Sequence, residues 1–212
     1  MHDIWKIREY YSIVVYRMVS IISIFFGFVL LMLAEWRYVR FSQKNQGKNK
    51  PEHHVPPLPG HTALQVPGYV LIVLGMCSAL LHSEQNMKLP EYMRTVCLVL
   101  ALTGGGFLVW TVFLEIPLGA KKSKVPRGHA YARGSYGKCR HPGFWCFLLF
   151  SISLAMWANN SLVLISFFIA NVLNLLLILL QDQYTFPIQF VDYREYAEKV
   201  PFLVPRFRKQ HR

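Results

Sequence analysis

The sequence predicts an all-α integral membrane protein of about five transmembrane helices, the last two folded into a tight hairpin. Three observations lead there. Of the 212 residues, 53% are hydrophobic and only 16% are charged, whereas soluble domains carry about a quarter charged residues. Five stretches, 18–34, 66–81, 96–114, 144–158 and 161–180, are nearly free of charge, and each approaches the roughly 17–25 apolar residues that cross a bilayer as a helix. The last two stretches are separated only by Asn159 and Asn160, a link that suits an antiparallel pair of helices. Lipid offers a backbone no hydrogen-bond partners, so such spans must be helical.

Taken in order, the N-terminal "MHDIWKIREYYS" has no small-residue cleavage site after the first apolar run, so 18–34 stays as the first span. Residues 41–65 form a polar, proline-rich connection. Its His53 and His54 have no nearby cysteine or acidic cluster and read as a solvated pair rather than metal ligands. Span two begins near Pro67, since a proline is tolerated in a first helical turn. The connection "HSEQNMKLPEYMR" to span three is short and carries no motif. Span three contains Gly104, Gly105 and Gly106, which let another helix backbone come close. Glu115 closes it two residues before Pro117, and an ionisable group at that depth is a functional candidate. Stretch 144–158 is the shortest and needs its flanking polar residues to reach both interfaces. Cys77, Cys97, Cys139 and Cys146 are scattered without a CxxC pair and read as thiols buried like small hydrophobes.

The net charge of +12 would suit nucleic acid, but its distribution does not. With five spans, one set of segments comprises the connection after span one, the connection before span four and the C-terminal tail. That set holds 18 of the 23 lysines and arginines, leaving Lys6, Arg8, Arg17, Lys88 and Arg94 on the other side. The positive-inside rule puts the rich set in the cytoplasm and the N-terminus outside, in a bacterial inner membrane or an endoplasmic reticulum. The partner implied is a lipid bilayer and no nucleic acid. The whole of 1–212 is one membrane domain: 1–118 holds spans one to three with a polar loop at 36–65, and 119–212 holds the last two spans and the tail.

The hairpin has a consequence. "GSYGKCRHPGFW", residues 134–145, precedes span four, and "QDQY", residues 181–184, follows span five. Both return to one face of the membrane, where distant polar residues can assemble a site.

"GSYGKCRHPGFW" resembles the G-x-Y-x-x-x-R-H-P-x-Y signature of isoprenylcysteine carboxyl methyltransferases and related membrane phospholipid methyltransferase-like enzymes. In "QDQYTFPIQFVDYREYAEKVPFLVP" the residues Phe190, Tyr193, Tyr196, Val200, Pro201 and Pro205 follow that family's C-terminal order. The resemblance covers 134–205, about a third of the chain. The chain departs from the pattern in three places. Gln181-Asp182-Gln183 stands where the family has Glu-Glu, one residue is missing between Phe190 and Tyr193, and Phe144 replaces a tyrosine.

The resemblance implies a multi-pass methyltransferase using S-adenosylmethionine on a lipid-like or prenylated acceptor. Arg140 and Asp182 would be catalytic. Gly134, Tyr136, His141, Pro142, Phe144, Asp182, Tyr193 and Tyr196 would hold the cofactor. Asp182 would meet its ammonium or ribose hydroxyls, His141 or the backbone near Gly134 its carboxylate, and the aromatic rings its adenine. Pro142 would start span four, with His141 facing the cofactor. Because neighbouring helical residues point about 100° apart, Arg140 and His141 would serve different contacts. Arg133 and Arg194 are further cations for an acidic acceptor. An NADPH-dependent enzyme like the sterol reductases, and a non-catalytic membrane protein keeping the fold, are the alternatives.

Overall fold

A computed structural model describes residues 2–46 and 61–205, with side chains from residue 15 onward in the first segment as far as residue 44. His53 and His54, and the cations Lys48, Lys50, Arg206, Arg208, Lys209 and Arg212, lie outside the described residues.

The chain is helical, and the described residues contain no strand. Helix α1 is His2–Gln46. It continues well past the first apolar run because "EWRYVRFSQKNQ" contains no helix breaker before Gly47. Helix α2 is His61–Leu81 and carries Pro67 inside it. The start near Pro67 is thus corrected: the helix begins six residues earlier, on good formers such as Ala63, Leu64 and Gln65, and the loop before it is shorter than 41–65.

Helix α3, Glu91–Val109, runs into a π-turn at Trp110–Glu115 and on into α4, Ile116–Lys122. Glu115 therefore does not close the span. Helix α5 is Pro142–Ala158 and α6 is Ser161–Leu180. A second π-turn at Gln181–Thr185 leads from α6 into α7, Phe186–Gln189, and then α8, Tyr193–Lys199. Each π-turn ends two residues before a proline, Pro117 or Pro187. Proline cannot donate to the carbonyl four residues back, and a π-turn is one way for the helix to continue past that gap; such turns often sit at functional sites.

Among the described residues, four helices are long and apolar enough to cross a membrane: Val15–Lys44, His61–Leu81, Glu91–Lys122 and Ser161–Gln189. Pro142–Ala158 is apolar but has only 17 residues, about 25 Å of helix against a hydrocarbon core of about 30 Å. Phe26, Val73, Leu102, Phe113 and Phe168 are all more than half exposed, an outer surface suited to lipid rather than water.

Close approach of backbones holds the helices. Packing of α1 on α2 depends on Gly27, where an added Cβ would lie 2.7 Å from the Gly68 carbonyl oxygen. Packing of α3 on α5 depends on Gly104, where it would lie 2.8 Å from the Phe150 nitrogen. Only two of the three glycines read for packing are used so, because Gly106 faces open space. Helix α6 completes the core: Phe167 and Ala170 are fully buried beside Ile24, Phe28 and Ala155. Across the hairpin, Asn171 donates to Ser151 Oγ at 2.7 Å.

The hairpin turn uses Asn159 in the left-handed region (φ +57°) and Asn160 as an N-cap accepting from Leu162 and Val163. The connection between α2 and α3, which carries no motif, braces that turn. The amides of Asn86 and Met87 donate to the Asn159 carbonyl, and Asn86 brackets Ser161 through both its side-chain amide groups. Among the cysteines only Cys139 is buried, and Cys77 is exposed, which corrects the reading of four buried thiols. On a lipid-facing wall a thiol needs no burial within protein.

Candidate functional site

Asp182 is the hub of the polar end. It is the second residue of the second π-turn and accepts three hydrogen bonds. Arg140 Nη1 donates to Oδ2 at 2.8 Å, Tyr193 Oη donates to Oδ1 at 2.6 Å, and His141 Nε2 lies 3.1 Å from Oδ1. An ionised carboxylate only accepts, so Nε2 carries the proton. The cluster is largely dry, with side-chain exposures of 14% for Arg140, 12% for Asp182 and 7% for His141. Burial, then the bond to Asp182, push the Tyr193 phenol well above its ordinary range, so it acts as a neutral donor.

The reason Arg140 and His141 reach one carboxylate corrects the helical expectation for them. Neither lies inside a helix. His141 is the N-cap of α5 with φ −126° and ψ 62°, and Pro142 takes the first helical position. The amide of Arg140 donates to the Pro201 carbonyl at 2.9 Å, which ties the motif to the C-terminal segment. Phe202 from that segment packs edge-on against His141, centroids 5.0 Å apart, and lies 5.6 Å from the Arg140 guanidinium carbon. Phe186 stacks on the His141 ring, centroids 5.8 Å apart. Arg140 Nε is buried without a partner.

A second cluster carries Gly134 and Tyr136. They lie in a single 3₁₀ turn, Gly134–Gly137, that the first π-turn holds. The buried Glu115 carboxylate accepts from the Ser135 amide and the Ser135 hydroxyl, both at 2.6 Å. Tyr136 Oη donates to the Thr111 carbonyl at 3.2 Å, and Tyr196 Oη donates to the Tyr136 carbonyl at 2.7 Å. Burial raises both phenols above their ordinary range and keeps them neutral. The two π-turns thus each present one carboxylate to one half of the 134–145 motif.

Between these clusters and the helices lies a cavity of about 620 Å³. Tyr136, Arg140, His141, Phe144, Tyr193 and Tyr196 line it, together with Gln181 and side chains of α2, α3 and α5 such as Tyr69, Ile72, Leu108 and Phe147. Gly134, Pro142 and Asp182 are not on its wall. Asp182 is therefore not free for a cofactor's ammonium or ribose; its oxygens are taken by Arg140, His141 and Tyr193. Arg133 and Arg194 are exposed and do not line the cavity.

Sequence reasoning missed Glu35, Thr111, Phe186 and Phe202. Glu35 had a signal: it is an acid one residue after an apolar run. Thr111 acts through its backbone and left none. Comparison of the chain with family models, curated proteins and solved structures gives no match.

Proposed function

We propose that this chain is an S-adenosylmethionine-dependent membrane methyltransferase acting on a lipid-like or lipid-modified acceptor. The observation that carries the reading is a cavity with two chemistries. At one end stand Arg140 and His141, held by Asp182, and the rest of its wall is mostly apolar helix. A cavity of this size falls in the range for small-molecule sites, and an amphiphile needs both ends.

The residues present fit the cofactor. Arg140 would hold its carboxylate, with Nε an unused donor, and His141 would add a second donor through Nδ1 when its ring carries both protons. Phe144, Phe190 and Tyr131 line the cavity and would accept the adenine and face the positive sulfonium, as aromatic rings attract cations. Among the described residues no Asp or Glu lines the cavity, so the amino group would fall to amide oxygens such as that of Gln181. When bound, the cofactor supplies an activated methyl group. The chain then has to align two reactants and exclude water. Arg140 does the first for an acidic acceptor through its planar fork, and the apolar wall holds the acceptor's tail.

Calorimetry of the purified chain with S-adenosylmethionine tests the reading. His141→Ala should weaken binding by about 1.5–3 kcal/mol, the loss of a charge-assisted hydrogen bond. Arg140→Lys should keep most binding and lose transfer of labelled methyl to lipid extracts, since lysine keeps charge but not the fork. Lack of binding by the parent chain rejects the reading, and an Arg140→Lys variant as active as the parent reduces Arg140 to a membrane anchor.

The same reading places five spans with the N-terminus outside and the site on the cytoplasmic side. Support comes from the 18-to-5 split of cations and from one cavity being lined by Leu31 of α1, Tyr69 of α2, Val112 of the first π-turn, Phe144 of α5 and Ile178 of α6. Reporter fusions after residue 212 and within 121–133 should both report cytoplasm. Opposite locations would break the five-span topology.

A further inference from the structure

Glu35 is a buried acid with no part in the site described so far. It is 2% exposed, and isolated buried carboxylates are costly. Its partners come from α2 and from the second π-turn. Oε1 accepts from Gln181 Nε2 at 2.9 Å and from Gln65 Nε2 at 3.3 Å, while Oε2 faces His61 Nε2 at 3.7 Å. Gln181 is the first residue of the π-turn that presents Asp182, and it lines the cavity. Gln65 lies one turn before Tyr69, which lines the cavity from α2.

We infer that Glu35 is the positioning residue of this cavity: it clamps α2 to the π-turn and sets which end of the Gln181 amide faces inward. With one Nε2 hydrogen held by a carboxylate, the Gln181 amide oxygen is left as an acceptor toward a ligand, beside the second Nε2 hydrogen. The clamp also fixes the first residue of the turn whose second residue holds Arg140, His141 and Tyr193. This role rests on the function proposed above only where it concerns the cofactor; the clamp itself does not depend on it.

Hydrogen exchange on the full chain in detergent reads the clamp without any ligand. In Glu35→Ala the amides of 181–185 should exchange about tenfold faster, the equivalent of one hydrogen bond to a charged group, while 165–175 stays as in the parent. Unchanged exchange at 181–185, or faster exchange throughout α6, overturns the inference. Glu35→Gln keeps the volume and one acceptor oxygen, and should show a smaller, equally local rise; it serves if Glu35→Ala does not purify folded. In the cofactor arm, Glu35→Ala should weaken S-adenosylmethionine binding about tenfold. A local rise in exchange with a parent chain that binds no cofactor leaves the clamp standing and removes the methyltransferase reading. A local rise with undiminished cofactor affinity overturns the role of Glu35 in the site.

Discussion

Asp182→Ala is expected to abolish cofactor binding and to lower folding stability by about 3–5 kcal/mol, the cost of removing one partner from a buried ion pair. The variant strands three donors at once. The Arg140 guanidinium is left charged and 14% exposed with no acceptor, and His141 and Tyr193 lose the atom that fixes their orientation. Asp182→Asn should fall between, because its amide keeps one oxygen but turns a donor toward one of three donors. Denaturant midpoints in detergent measure the stability, and calorimetry measures the binding. An alanine variant that unfolds and binds like the parent would show that Arg140 and His141 are held by something else.

Gly134→Ala is expected to be nearly as damaging, about 3–5 kcal/mol, although alanine is the smallest possible addition. Gly134 has φ +59°, a left-handed conformation that costs an L-residue roughly 1–2 kcal/mol. The added methyl would also overlap Glu115 Oε1 and drive that carboxylate off the Ser135 amide and hydroxyl. Tyr136 would lose its placement with the turn, so cofactor affinity should fall together with stability. Gly106→Ala provides the contrast. A Cβ there meets nothing within 4 Å, and alanine favours a helix over glycine by about 1 kcal/mol. If the two variants unfold at the same denaturant concentration, the Glu115–Ser135 contact is not what holds the turn.

What could be read from the chain alone, and what could not, divides along a physical line. Helical membrane character follows from composition and from charge-free runs of sufficient length, because burial in lipid depends on side-chain apolarity and little else. The α5–α6 hairpin follows from two asparagines between two apolar runs, with no room for another path. Convergence of "CRHPG" with "QDQY" at one end follows from the hairpin, and Arg140 and His141 do meet Asp182 there. Helix ends did not follow. Pro67 and Pro117 read as boundaries, yet both helices run through them, since packing and a π-turn offset the missing N–H.

The roles within the site needed three dimensions. Asp182 read as a ligand for a cofactor because carboxylates bind ammonium groups; only its distances to Arg140, His141 and Tyr193 reveal that its oxygens are already occupied. Arg140 and His141 share one carboxylate because the backbone before α5 is not helical, a matter of φ and ψ that no periodicity encodes. Glu35 and Gln181 are 146 residues apart, and nothing in either neighbourhood names the other. Sequence patterns report local geometry and the solvent each stretch prefers; a contact between distant side chains exists only once the helices carrying them are packed.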